Sequence, residues 1–411
     1  MIRILILLAF LFAFDVYVFQ AFEVSIRQWS PQLRWLVFAV FWAVPLGIAA
    51  FLISLQLGNP PRVNKEVFTL IRSFVVILYA SKLIILSFLL ADDLRRMGLY
   101  AYENLFGNTE YDKSRSRFLS QIAIFASGLP LLTLTYGILR NRYRYQLHRV
   151  GIQLPNLPEA LQGLRIIQLS DIHSGSFTEK EPLYQAIDLI NEQQPDLVLF
   201  TGDLVNSQAK EMEPFVDVFG GIQAKHGVYS VLGNHDYGDY VRWNSQEEKQ
   251  ENFEQLLATH RSMGWDIMMN EHRVLEINGE KLALIGVENY SAHPRFPKYG
   301  DLKKASEGIS EVGLKILLSH DPSHWEDEVT SQHFSDIDLT LSGHTHGFQF
   351  GVEIPGWIKW SPAKYIYKQW AGLYQKGQQY LYVNRGFGFL GYPGRVGILP
   401  EITLLELNRS L

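Results

Sequence analysis

Leu164-Arg165-Ile166-Ile167-Gln168-Leu169-Ser170-Asp171-Ile172-His173 is the stretch from which the fold can be read. An apolar, β-branched run ends in a polar turn carrying two metal-ligand side chains. This is the pattern of a buried strand that delivers residues at its end. It recurs along the chain. Residues 197–201 precede Gly202-Asp203, and 228–232 precede Gly233-Asn234-His235-Asp236. Leu314–Leu318 precedes Ser319-His320-Asp321, and 337–341 precede Gly343-His344-Thr345-His346-Gly347. Strand ends in one sheet region converge, so residues far apart in sequence can share a site.

The candidate ligands are Asp171, His173, Asp203, Asn234, His320, His344 and His346. Oxygen and imidazole donors without thiolate suit Mn, Fe, Zn or Ni better than soft metals. One ion with an open catalytic position takes about three protein ligands. This set therefore suits two ions sharing a bridging carboxylate. Two ions about 3.5–4 Å apart clamp the attacking and leaving oxygens of an in-line phosphoryl displacement. They also lower the pKa of a shared water, making hydroxide available near neutral pH to attack phosphorus. A lone Asp or His after a strand is more often a turn former or helix cap; the joint pattern outweighs that reading. His148, His226, His260, His272, His293, His324 and His333 lack matching spacing and are expected mostly at the surface. Asp321 is expected to cap a turn before Pro322.

The order D-x-H, G-D, G-N-H-D, H, G-H-x-H lies between Leu164 and Thr403 and resembles the signature of calcineurin-like metallophosphoesterases. The resemblance implies an α/β fold, a four-layer α-β-β-α sandwich of two mixed sheets, with metals on loops at one sheet edge. It implies that Asp171, His173 and His346 hold a first ion, that Asn234, His320 and His344 hold a second, and that Asp203 bridges them. The cofactors implied are two divalent ions, manganese foremost, with Fe, Zn, Ni and Mg as alternatives. His235 is implied to be a non-ligand histidine beside the phosphate, with Asp236 as its orienting partner. A histidine ordinarily titrates near working pH, so it can bond a phosphate oxygen or protonate a leaving group.

The chain has 411 residues and a mean hydropathy of −0.01, an average over two unlike parts. Four apolar stretches occupy residues 4–22, 33–57, 68–90 and 121–139. Each has about the 19–25 residues a helix needs to cross roughly 30 Å of hydrocarbon. The first lacks a small-x-small cleavage site and reads as a retained helix rather than a signal peptide. The expected organisation is a four-helix transmembrane region over 1–140, a basic juxtamembrane segment and linker over 141–163, and the phosphoesterase domain over 164–411. Basic residues are nearly balanced between the two sides. The dense flank Arg140-Asn141-Arg142-Tyr143-Arg144-Tyr145 tips the reading toward a cytoplasmic catalytic domain on an inner membrane. Asp15 and Lys82 lie inside spans, where charges mark either function or a polar contact between helices.

Cysteine is absent, which excludes disulfides, thiolate metal sites and cysteine nucleophiles. A net charge of −5 argues against a nucleic-acid backbone binder. Helical patterns are expected over 179–193, 211–223 and 246–263, with strands accumulating afterwards.

Three features point to a membrane lipid or lipid-linked phosphate as substrate. The first is the membrane anchor itself. The second is the insert 348–374, where Trp357, Trp360, Tyr365, Tyr367 and Trp370 alternate with lysines, the composition of a membrane-interface patch or an aromatic mini-core. The third is the Gly-rich stretch 384–395, whose Arg385 and Arg395 suit either a phosphate group or ion pairs. Trp357, Trp360, Arg385 and Arg395 are thus candidate substrate contacts. Within the superfamily, the start Gln168-Leu169-Ser170-Asp171-Ile172-His173-Ser174 and the end Pro400-Glu401-Ile402-Thr403 resemble the membrane-associated bacterial branch. That branch includes enzymes similar to UDP-2,3-diacylglucosamine pyrophosphatase. Many relatives carry a second glycine after Gly347, where this chain has Phe348. Alternatives are a diesterase acting on phospholipid headgroups or cyclic nucleotides, and an inactive domain serving as a membrane sensor.

Overall fold

A computed structural model describes residues 2–57, 65–107, 113–309, 312–354 and 356–409. The chain forms two compact units, Met1–Tyr136 and Gly137–Leu411.

Among the described residues, the first unit holds four helices: α1 (Ile2–Ile26), α2 (Pro31–Gln56), α3 (Lys65–Phe106) and α4 (Lys113–Tyr136). Among the described residues, four segments are long and apolar enough to cross a membrane: Ile4–Ile26, Pro31–Ser54, Val67–Phe106 and Ser116–Asn141. Helix α3 continues well beyond the apolar stretch at 68–90. Asp92 pairs with Arg95 at 2.8 Å one turn on, the i,i+3 spacing that sustains a helix after its apolar face ends. Asp15 and Lys82 find each other, with Lys82 Nζ 2.6 Å from Asp15 Oδ1, and Tyr79 donates to the second carboxylate oxygen at 2.8 Å. Both charges are buried and paired, which makes the contact a polar clamp between α1 and α3.

The second unit opens with a π-helical turn, Gly137–Asn141. Then come β1 (Gln146–Leu154), β2 (Leu164–Leu169), α5 (Glu181–Asn191), β3 (Leu197–Phe200), α6 (Val216–Phe219), β4 (Val228–Ser230), α7 (Gln246–Ser262) and β5 (Trp265–Ile267). The remainder is β6 (Glu271–Ile277), β7 (Glu280–Gly286), α8 (Leu302–Ser306), β8 (Leu314–Leu318), β9 (Leu339–Ser342), β10 (Val352–Ile354), β11 (Ile358–Trp360), β12 (Gly372–Lys376), β13 (Gln379–Val383) and β14 (Glu401–Arg409). One six-stranded sheet runs β1-β14-β2-β3-β4-β5 and the other β12-β13-β9-β8-β7-β6, with β10-β11 as a separate hairpin.

Strand alternation assigns the faces. Ile166, Leu197 and Leu199 of the first sheet share a core with Leu284, Ile316 and Leu341 of the second, so the two sheets face one another. The alternate residues Ile167, Val198 and Phe200 turn outward, against Leu183 and Ile190 of α5 and Leu256 of α7. On the far side, Ile285, Leu317 and Val383 pack against Leu302 of α8 and Trp325. This is the α-β-β-α order.

Two expectations need correcting. Much of the segment read as linker, 141–163, is strand: β1 pairs in parallel with β14 along its whole length, from Gln146↔Glu401 to Leu154↔Arg409. Its partner is the last strand of the chain, so no local pattern announces the pairing. The helix expected over 211–223 is broken into 3-10 turns and the single-turn α6. Pro214 lacks the N–H that a continuous helix needs there.

Candidate metal centre

The parallel strands β2, β3 and β4 end side by side, as do β8 and β9 in the facing sheet. The loops that follow bring the candidate ligands together. Their backbone is unusual. Asp171, His173, Asp203, His344 and His346 all have left-handed φ, between 48° and 70°. Side chains rarely adopt that region, and such strain clusters at functional sites. Two glycines permit the approach. A Cβ at Gly233 would collide with the Asp203 carboxylate, and one at Gly343 with Ser170 and Asp171.

The ligand atoms form two groups. Those of Asp171, His173 and His346 lie within 4.8 Å of one another, as do those of Asp203, His320 and His344. In the first group, His173 Nε2 is 3.0 Å from His346 Nε2, which is 3.3 Å from Asp171 Oδ1. In the second, His344 Nδ1 is 3.2 Å from His320 Nε2. Asp203 Oδ2 stands between the groups, 3.2 Å from His320 Nε2 and 3.4 Å from His173 Nε2. Asn234 is buried, its Nδ2 donates to Tyr240, and its Oδ1 has no partner among the described residues.

These residues fit divalent cations. Imidazole lone pairs facing each other at such distances need a proton or a cation between them, and an orphaned amide oxygen needs a donor or an ion. Burial pushes the His173 imidazole down to about 3, which keeps it neutral as a ligand must be. Burial opposes the charge on His320, yet the Asp203 carboxylate raises it to about 10, so this ring carries a proton that a bound cation would have to displace. Asp203 is in turn held well below the usual carboxylate range: burial opposes its charge, but His320 and then His235 outweigh that.

Outer contacts fix the rings. His320 Nδ1 is 2.7 Å from the Thr201 carbonyl, and His344 Nε2 is 2.8 Å from the Tyr367 hydroxyl. Asp321 accepts from the Ser323 N–H at 2.8 Å, as a turn cap does, and its other oxygen is 3.5 Å from His344 Nε2. His235 packs edge-on to His173 at 5.0 Å and against Tyr240 at 4.5 Å.

Asp236 does not orient His235. The His235 ring is held by its Nδ1, 2.7 Å from the Asn206 carbonyl. The Asp236 carboxylate instead accepts four backbone N–H groups, from Asp203, Leu204 and Gly233 at 2.9 Å and Val205 at 3.3 Å. It ties the Gly-Asp loop to the Gly-Asn-His-Asp loop.

The arginines expected at the substrate are buried. Arg385 pairs with Glu401 at 2.5 Å and Glu353 at 2.6 Å. Arg395 is fully buried and donates to the carbonyls of Arg385, Gly386 and Gly388, with Nη2 3.2 Å from His346 Nδ1. Burial pulls its pKa down to about 10, so it remains a cation at neutral pH. Both arginines are structural, and Arg395 braces the candidate ligand His346. The aromatic insert divides: Tyr367 and Trp370 join a small core with Ala363 and Ile398, while Trp357 and Trp360 stand exposed outside the cleft lining. His260 and His324, expected at the surface, are fully buried and bonded to Ser230 and Ser319.

The candidate ligands His173, Asp203, Asn234, His344 and His346 line a cleft of about 780 Å³ whose wall includes Phe296, Phe348, Phe350, Ile366 and Leu390. Phe348 itself has φ +51°, in the left-handed region that favours glycine, and projects into this wall. Sequence reasoning missed Arg295. Among the described residues it is the only arginine or lysine lining the cleft, and it is exposed. Its neighbours Phe296 and His293 pack on His344 and Tyr367 at 4.7 and 4.8 Å, which anchors the loop to the site.

Comparison with known proteins agrees with this geometry. Residues 164–348 match the calcineurin-like phosphoesterase family, and residues 2–142 match the family described as "Probable Calcineurin-like phosphoesterase, transmembrane domain". A "Transmembrane protein with metallophosphoesterase domain" from Danio rerio is 32% identical over 284 residues, 67% of this chain and 60% of the relative. This chain therefore spans less than two thirds of that protein. An "Uncharacterized metallophosphoesterase YkuE" from Bacillus subtilis is 29% identical over 262 residues, 62% of this chain and 82% of the relative.

Proposed function

We infer that this chain, a calcineurin-like metallophosphoesterase with an N-terminal transmembrane domain, hydrolyses a lipid-linked phosphoester or pyrophosphate at the membrane surface. The observation that carries the reading is Asp203, whose Oδ2 reaches a histidine of each ligand group. Two divalent ions, one per group, would supply a nucleophile at neutral pH and neutralise charge developing at phosphorus.

The chain's own residues do the rest. Asn206 holds Nδ1 of His235, so a proton can be held or passed at Nε2. Arg295 offers a guanidinium to phosphate oxygens beside the metals. The wall of Phe296, Phe348, Phe350, Ile366 and Leu390 suits an apolar substituent. The Arg140, Arg142 and Arg144 flank favours a cytoplasmic position for the domain. UDP-2,3-diacylglucosamine is the first substrate to test, and a glycerophospholipid headgroup diester is the second.

The test uses the full chain in lipid nanodiscs with Mn²⁺. It compares release of UMP from UDP-2,3-diacylglucosamine, headgroup release from phospholipid, and hydrolysis of bis-p-nitrophenyl phosphate and cyclic nucleotides. Faster turnover of either lipid than of the soluble diesters supports the reading. Turnover of soluble diesters alone discards the lipid, and no turnover of any substrate at full metal loading favours a sensor.

A further inference from the structure

The hairpin β10–β11 has its faces reversed relative to what water favours. Glu353 and Lys359 are opposite each other across it, and both turn toward the domain. Glu353 bonds the buried Arg385, and Lys359 Nζ donates to the Ala371 carbonyl at 2.5 Å. By alternation, Val352, Ile354, Ile358 and Trp360 occupy the other face, and all are exposed. Trp357 at the turn is 77% exposed and Tyr365 beside the hairpin 74%. A contiguous apolar patch of this kind marks a contact surface rather than ordinary solvent exposure.

We propose that the outer face of this hairpin docks into the headgroup layer of the membrane that the chain itself crosses. Hydrogen bonds within the second unit lead from the hairpin to a span end. The Gly351 N–H donates to the Val396 carbonyl at 2.9 Å, and the Arg395 N–H donates to the Gly137 carbonyl at 3.3 Å. Asn141 Nδ2 donates to the Arg395 carbonyl at 3.0 Å. Gly137–Asn141 closes the fourth membrane-crossing segment, Ser116–Asn141. The hairpin base is thus tied, within the second unit, to the residues that directly follow α4 in the chain. The composition suits that depth, since Trp and Tyr concentrate at the interface while lysines reach water or phosphate. Trp357 and Trp360 are then anchors that hold the domain against lipid, separate from the residues that bind substrate. The proposal does not depend on the activity of the metal centre.

The chain has no cysteine, so Trp357→Cys gives a unique attachment point for a nitroxide. Trp357 has little packing to lose. Tyr365→Cys provides a second reporter, and Glu276→Cys, exposed on β6, a reference in water. With the full chain in nanodiscs, power-saturation spectroscopy compares collisions with oxygen and with a water-soluble nickel chelate. At 357 and 365 oxygen access is expected to exceed nickel access, with the reverse at 276. Nickel access at 357 and 365 equal to that at 276 would overturn the proposal. Protection from both reagents would also overturn it, pointing to a second copy or a protein partner. Hydrolysis of bis-p-nitrophenyl phosphate by each labelled protein is measured alongside. Loss of membrane contact with hydrolysis intact sinks docking alone, and contact without hydrolysis of this diester or of either lipid at full metal loading sinks the enzymatic reading alone.

Discussion

Asp236→Ala separates a structural role from a catalytic one. The substitution removes the acceptor for four backbone N–H groups, those of Asp203, Leu204, Val205 and Gly233. Asp203 and Asp236 are both buried, so water does not readily replace the carboxylate. A buried unsatisfied donor costs about 1–3 kcal/mol. Four sum to at least roughly 4 kcal/mol, a large share of the 5–15 kcal/mol that holds a typical domain together. The two loops joined here carry Asp203 and Asn234, so metal binding should fall with stability. Asp236→Asn keeps one oxygen as acceptor and turns an NH₂ toward the other donors, so about half the loss is expected. The assay is metal content by mass spectrometry, together with protease resistance of the full chain in detergent. Asp236→Ala should be metal-poor and protease-sensitive, with Asp236→Asn between it and wild type. Wild-type metal content and resistance, with only the rate reduced, would refute the reasoning and restore Asp236 as the orienting partner of His235.

Other substitutions report on the remaining roles. His235→Ala should keep both metals and lose roughly 10²–10⁴-fold in kcat, the usual range for a proton-transfer group; loss of metal would show it to be a ligand. Arg295→Ala should lower kcat/KM about 10–150-fold, the equivalent of one charge-assisted hydrogen bond at about 1.5–3 kcal/mol. Arg295→Lys should recover part of that, and an unchanged kcat/KM would remove Arg295 from substrate binding. Arg395→Met should weaken metal binding by about 10–100-fold, as expected when a ligand's outer partner is lost, and titration with a chelator would measure it.

The core of this fold was legible because its signals are local. Each of β2, β3, β4, β8 and β9 is a short apolar run followed at once by its ligands, and parallel pairing brings those ends together. The two glycines that press against Asp203 and Ser170 directly precede the candidate ligands Asn234 and His344. Non-local features stayed hidden. Strand β1 reads as linker until its pairing with residues 401–409 is seen. An arginine in a glycine-rich stretch looks the same in sequence whether it faces a phosphate or, like Arg385, the buried Glu401 and the half-buried Glu353. The Gly-Asn-His-Asp motif suggests that Asp236 serves its neighbour His235, but its carboxylate serves the backbone of a loop some thirty residues earlier. Arg295 and Tyr367 reach the site on loops whose path no periodicity encodes.

The central claim is that Asp203 joins two metal sites. It is tested most directly by counting metal ions in the purified full chain and in Asp203→Ala after equal loading with Mn²⁺. The account predicts two ions per wild-type chain and loss of both in the variant, with hydrolysis of bis-p-nitrophenyl phosphate abolished. Two ions retained by Asp203→Ala, or a wild-type chain that binds no more than one, would contradict it.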